Sequence, residues 1–193
     1  MTGRRLSGLA LVCAAVLVLT GTTSSFGADA KAPEFTAKNL SGEDVTLSEL
    51  LKDGPVIVDF WATWCKPCIK GFPDLQKIFD KYKDCGLTVL AVSIDGPRST
   101  SKVGALIASK GNTFEVLLDP SQAVARKFHV TSVPRTVLIR QDGTVAWAVT
   151  GYRPSNHVEL ENAVEELFPD GCPKADAEEG ADAETGSEEE AVD

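Results

Sequence analysis

Val58-Asp59-Phe60-Trp61-Ala62-Thr63-Trp64-Cys65-Lys66-Pro67-Cys68 is the stretch on which the fold of this chain turns. Its left half continues Pro55-Val56-Ile57, a β-branched run bounded by Asp53-Gly54, and predicts a strand. That strand is apolar on both faces except at Asp59, as expected of a buried central strand. To the right, Ile69, Phe72, Leu75, Ile78, Phe79 and Tyr82 recur at spacings of three and four, which predicts a helix from Cys68 to Lys83. The C-x-x-C therefore falls at a strand-to-helix junction, with Cys65 near the helix N-terminus. Helix dipole, free backbone N–H groups and the charge of Lys66 all favour a thiolate there. Such surroundings lower a cysteine pKa from about 8.5 into a range of about 3.5–7.5. The thiolate is the attacking species, so the position itself confers reactivity. Pro67 suits a first helical turn, where its missing N–H costs nothing, and Pro73 is expected to kink the helix.

A C-x-x-C has three readings: redox dithiol, half of a zinc site, or plain structural disulfide. Zinc needs four ligands, usually from a second paired motif. The chain offers no second C-x-x-C, and its only histidines are His129 and His157. No metal is expected, and no cofactor. Outside the pair lie Cys13, Cys85 and Cys172.

The segment Val58 to Cys68 resembles the active-site segment of thioredoxin-fold proteins. Pro73, five residues after the second cysteine, matches as well, and Ser132-Val133-Pro134 before the strand Thr136 to Arg140 resembles the family's cis-proline loop. The nearest resemblance is to the exported TlpA/ResA group of thiol-disulfide oxidoreductases. It is carried by Trp-Ala-Thr-Trp-Cys-x-Pro-Cys, by the lead-ins Ala32-Pro33-Glu34-Phe35-Thr36 and Gly42 to Ser48, and by an insertion before the cis-proline loop. It covers about 33–168. It implies an α/β thioredoxin fold: a central mixed β-sheet flanked by helices, with an N-terminal β-hairpin and a central βα-type insertion.

The resemblance also implies roles. Cys65, expected to be the more exposed cysteine, exchanges disulfides with a partner protein, and Cys68 resolves the mixed disulfide. Asp59 lies beneath the pair and helps deprotonate the buried cysteine; the plain alternative pairs it with Lys77 or Lys81. Many relatives carry asparagine there and a glutamate three residues after the second cysteine, where this chain has Gly71. Trp64, Lys66, Pro67, Val133, Pro134, Arg135 and Gly151 are the candidate substrate contacts. Gly151 is read as small to let substrate approach, and Arg135 stands where the family usually has threonine. His129 reads as a structural loop residue. In such a fold the helices before Cys85 and Cys172 end at the pole opposite the active site, so a Cys85–Cys172 disulfide is expected. It would close a loop of roughly 90 residues, worth about 4 kcal/mol.

The remaining elements follow from local pattern. Phe35 to Leu40 and Asp44 to Leu47 predict a hairpin, and Leu47 to Leu51 a short helix. Leu87 to Ile94 and Phe114 to Leu118 read as strands; Ser99 to Lys110 and Gln122 to Phe128 read as helices, the former stopped by Gly111. Thr136 to Arg140 and Thr144 to Val149 form a hairpin across Gln141-Asp142-Gly143. Ser155 is expected to cap a last helix reaching Phe168.

The net charge of −9 belongs to one end of the chain. Residues 170–193 hold ten acids and one lysine, leaving eighteen acids against eighteen bases before them. A neutral body argues against nucleic-acid binding, which needs a basic face. Residues 1–30 read as a signal peptide: Arg4 and Arg5, an apolar run from Leu9 to Leu19, and the small-x-small site Ala28-Asp29-Ala30. The expected organisation is signal peptide 1–30, thioredoxin-like domain 31–172 and disordered acidic tail 173–193. Export places the domain in the periplasm or cell-envelope space, where disulfides persist. The leading functional expectation is a monomeric reductant of protein cysteines, of cytochrome c or copper-site maturation type, fed by a membrane thiol-electron carrier. A disulfide oxidase or isomerase and a copper-binding chaperone are the alternatives. A peroxidase is disfavoured, because Cys65 lacks the Pro-x-x-x-Thr-x-x-Cys context.

Overall fold

The computed structural model describes residues 30–169 and 171–172. Nearly all of the expected leader and the whole acidic tail lie outside the described residues. Seven strands form one mixed sheet in the order β2-β1-β5-β4-β3-β6-β7. They are β1 Thr36–Asn39, β2 Asp44–Thr46, β3 Val56–Trp61, β4 Thr88–Ser93, β5 Glu115–Leu118, β6 Arg135–Ile139 and β7 Val145–Thr150. Strands β3, β4 and β5 are parallel. β6 runs antiparallel to β3, β7 to β6, and β1 to both β2 and β5. The helices are α1 Leu47–Leu50, α2 Lys66–Tyr82, α3 Thr100–Lys110, α4 Ala123–Lys127 and α5 Asn156–Glu165. After α3, β5 joins the sheet beside β4 and leads into α4, which is the expected βα insertion. The result is a thioredoxin fold.

All six residues of β3 are buried. Side chains alternate along a strand, so Ile57, Asp59 and Trp61 share one face and Val56, Val58 and Phe60 the other. The first face packs under α2, α3 and α5 through residues such as Phe72, Ile78, Val103, Leu160 and Val164. The second packs against Phe35, Leu47, Val124 and Phe128, from the N-terminal segment, α1 and α4. Period two thus aims the one acid of β3 at the helix that carries the cysteines.

Helix α2 begins two residues before its apolar pattern does, because Cys65 is its N-cap. It continues through Pro73 to Tyr82. A 3-10 turn, Lys83–Cys85, and Gly86 at φ +92° end it. A side chain at Gly86 would also strike the carbonyl oxygen of Asp53 at 2.4 Å, so both conformation and space demand glycine. The last helix differs from expectation. Ser155 occupies the N-cap of α5, but it has helical φ and ψ and its side chain makes no capping bond. α5 ends at Glu165, and Phe168 instead stacks on Tyr82 with ring centroids 5.6 Å apart. Lys81 and Glu161 join α2 to α5 at 2.7 Å, a bond that holds the Lys81 ammonium above its ordinary value. Cys85 and Cys172, bonded with Cα atoms 5.5 Å apart, close the same end.

Candidate active site

The backbone at Cys65 is extended where β3 hands over to α2, and its Sγ accepts the N–H of Cys68 at 3.3 Å. One of the helix's otherwise unpaired amides is therefore aimed at the sulfur, and a negative sulfur gains both that bond and the dipole. Cys65 and Cys68 are bonded, with Cα atoms 5.3 Å apart. Both are buried, at 4% and 3%. Cys65 is thus only marginally the more exposed of the two, and both belong to the core cluster that holds Trp61 and Phe72. What the turn presents to solvent is Trp64, 67% exposed, with Lys66 and Pro67 also exposed. Trp61 is fully buried and meets Phe72 edge-on at 4.9 Å.

Asp59 is buried and sits opposite Thr136 in the β3–β6 register. Thr136 Oγ1 donates to its Oδ1 at 2.7 Å. Burial pushes the carboxyl from 3.8 up to about 7, against a smaller downward pull from the Thr136 bond. The lysines weighed as its partners are engaged elsewhere: Lys77 with Asp74 and Lys81 with Glu161. Asp59, Cys68, Pro134 and Thr136 line one cavity of about 60 Å³, which is room enough for water.

The Val133–Pro134 peptide bond is cis, and Pro134 is buried against this cavity. The Gly151 N–H donates to the Pro134 carbonyl at 2.8 Å, tying the two loops together. Gly151 has φ +87°, and a Cβ there would meet nothing within 4 Å. The positive φ by itself favours glycine at this position. Arg135 donates to Thr150 Oγ1 at 3.0 Å, and partial burial pulls its guanidinium below its ordinary value. At Gly71, an added Cβ would lie 3.3 Å from two ring carbons of Tyr152. The Lys70 ammonium stands 5.6 Å from the centroid of that ring. Tyr152 thus fills the space beside the position where the resemblance leads one to look for a glutamate. His129 takes φ +51° in the turn after α4. Among the described residues, no group of three or more His, Cys, Asp and Glu is placed to hold a metal ion.

Three features escaped the reading of the sequence. Asp95, 1% exposed, accepts from Thr63 N–H at 2.7 Å, Thr63 Oγ1 at 2.6 Å and Ser93 Oγ at 2.9 Å, anchoring the turn just before Trp64. The available signal was an acid just beyond the C-terminal end of a parallel strand, where open α/β sheets gather their sites. Tyr152 is the second. Asp74 and His157, on α2 and α5, are the third; both line the Asp59 cavity.

A profile described as the AhpC/TSA family matches residues 28–148. The thiol-disulfide oxidoreductase ResA of Bacillus subtilis (strain 168) is 32% identical over 147 residues, covering 74% of this chain and 80% of its own. A Chlorobium tepidum protein provisionally assigned as thiol:disulfide interchange protein DsbE superposes with a TM-score of 0.68 at 31% identity, over 75% of this chain and 99% of that one. The thioredoxin domain of a thiol-disulfide oxidoreductase from Bacteroides vulgatus gives 0.62 at 27% identity, over 74% and 99%. With a cysteine pair capping α2 above a buried acid, the chain belongs to the AhpC/TSA family and is a thioredoxin-like thiol-disulfide oxidoreductase.

Proposed function

We propose that the protein is exported and works as a reductant of disulfides in other proteins. The observation that carries this reading is the Cys68 amide aimed at Cys65 Sγ, with the Asp59 carboxyl across the Cys68 cavity and pushed up to about 7. In the reduced enzyme the Cys65 thiolate attacks one sulfur of a substrate disulfide, and the other leaves as a thiol. Asp59 takes the proton of Cys68. The Cys68 thiolate then attacks Cys65 Sγ, the second substrate thiol leaves, and the enzyme is left as the Cys65–Cys68 disulfide. Holding both sulfurs within one helical turn makes the second attack intramolecular and fast. Trp64, Lys66 and Pro67 on one side, and Val133, Pro134, Arg135 and Gly151 on the other, form the substrate-facing surface. Val133 offers backbone for strand-like pairing.

Substrates in this reading are the haem-binding cysteines of apocytochromes c or copper-site cysteines, and electrons return from a membrane thiol carrier. The monomer is the working unit, released into the periplasm or cell-envelope space once residues 1–30 are removed. Cys85–Cys172 is a structural staple. The test is insulin reduction with a Cys65→Ser control, together with the potential of the Cys65–Cys68 couple. A potential near about −270 mV supports a reductant, and one near about −120 mV makes the protein an oxidant instead.

A further inference from the structure

The Asp59 cavity reaches the surface between α2 and α5, and the residues at that rim have no role in the exchange described so far. Asp74 and His157 line it there, with side chains 23% and 37% exposed. His157 Nδ1 lies 3.7 Å from Asp74 Oδ2, inside ion-pair range but beyond a hydrogen bond. That nitrogen is buried and has no hydrogen-bond partner, although more than a third of the side chain is in solvent. The imidazole therefore spans the wall, one nitrogen inside and part of the ring outside. Next to it, Asn156 is 7% exposed; its amide N–H₂ donates to the Gly151 carbonyl at 2.9 Å, while its Oδ1 is buried without a partner. Two unpartnered buried polar atoms on residues lining one small cavity with a carboxyl at its floor are what bridging water satisfies.

We propose that His157, held by Asp74, is the proton exit of Asp59: it passes the proton taken from Cys68 to bulk solvent through the α2–α5 side of the cavity. The inference rests on the reading of Asp59 as the acid–base group. Its logic is one of access. A protein substrate over Trp64 and Val133 covers the front of the site while Cys68 must still lose a proton. In the step itself the Asp59 carboxyl gives its proton to cavity water, and the water gives one to the buried Nδ1. The imidazolium then releases a proton from its other nitrogen to solvent, leaving Asp59 ionised and His157 neutral. Asp74 stabilises the transient cation, with Lys77 at 3.4 Å on its other side. The other charged or titratable groups around His157 are Asp59 on β3, Tyr152 with Lys70 over its ring, Arg153, and Glu159 and Glu161 on α5, the latter engaged by Lys81. His157 and Asp74 are positioning residues here, since neither touches the sulfurs.

The experiment follows release of a thiol reporter peptide from its mixed disulfide with Cys65 in the full chain, between pH 6 and 8, in dilute and in imidazole-rich buffer. The unsubstituted protein must release the peptide and Cys68→Ser must not; if that fails, it is the exchange mechanism that falls. His157→Gln is expected to slow release about tenfold in dilute buffer, short of the ~10²–10⁴ of a complete acid–base loss. Added imidazole should restore the rate in His157→Gln and leave Asp59→Asn slow. Equal rates in dilute buffer at every pH, or slowing that imidazole does not relieve, overturns the proposal. A second measurement needs no substitution at His157. With only two histidines in the chain, its ring signals are readily followed by NMR, and they should register the ionisation of Asp59, a response that is lost in Asp59→Asn. A titration curve identical in both proteins overturns the proposal as well.

Discussion

The two cysteine pairs sit at opposite ends of α2 and in opposite electrostatic surroundings. Cys65 and Cys68 are three residues apart, at the positive end of the helix, with an amide on one sulfur and a buried acid behind the other. Cys85 and Cys172 are 87 residues apart, beyond the helix C-terminus, where the backbone presents carbonyls; Cys172 Sγ lies 3.8 Å from the Lys81 oxygen. A thiolate is favoured at the first place and disfavoured at the second. Chain entropy runs the other way. Closing three residues removes little freedom from the unfolded chain, whereas closing 87 removes a great deal. In the proposed function the first pair reacts and the second holds.

The comparison breaks most decisively on Cys65. Cys65→Ser should abolish insulin reduction altogether while the urea midpoint moves little, because the short loop contributes little to stability. Cys85→Ser should do the reverse, lowering the unfolding free energy by about 2–4 kcal/mol in oxidised protein while turnover per folded molecule persists. Loss of turnover in Cys85→Ser as deep as in Cys65→Ser would erase the distinction. So would a main Cys68–Cys85 or Cys65–Cys172 link in non-reduced peptide maps.

Asp59 adds to the contrast, because the burial that suits it to the proposed proton transfer also costs stability. Its carboxyl ionises near 3.8 when unfolded and at about 7 when folded, owing to burial. The folded value is the higher one, so the stability this group contributes is full below about pH 4 and is lost as the pH rises through 7. Above that pH the loss is on the order of 4 kcal/mol. Asp59→Asn should therefore stabilise the protein at pH 8, with the gain shrinking toward pH 4, as urea titrations across that range will show. The same variant should slow release of the mixed disulfide by about 10²-fold. Unchanged turnover between pH 6 and 8 would remove Asp59 from the mechanism.

How much of this was legible varies with the range of the interaction. β3 and α2 could be read because their signals are local: six buried positions in a row, then Phe72, Leu75, Ile78 and Tyr82 at helical spacing. Period two put Asp59 on one face with Ile57 and Trp61, but that this face lies under the cysteines was implied only by the resemblance. The Asp95 clamp was harder to read: its place beyond a parallel strand was the one signal, while Ile94-Asp95-Gly96-Pro97 looks like any polar turn and its partner Thr63 is 32 residues away. Tyr152 over Gly71 and His157 beside Asp74 have the same character: they depend on how α5 lies against α2. The end of α5 was misjudged for a related reason. Phe168 and Leu167 extend an apolar pattern, but Phe168 is taken by Tyr82, a tertiary contact that outweighs one more helical turn.

The smallest effect expected is at Trp64, which contrasts with Phe168 at the other end of α2. Phe168 is spent on Tyr82, but Trp64 is left 67% exposed beside the disulfide. An exposed indole adds nothing to folding that water does not already supply, so Trp64→Ala should leave the urea midpoint in place. In the proposed function its contribution is to binding a partner. Aromatic side chains on contact surfaces contribute about 1 kcal/mol or more on burial. Trp64→Ala should then raise KM for a disulfide-containing protein several-fold, and leave unchanged the rate with a small disulfide too short to reach the indole. Equal slowing with both substrates would mean that Trp64 acts on the Cys65 sulfur itself rather than on docking, and the surface assigned to the partner would have to be redrawn around Val133 and Arg135.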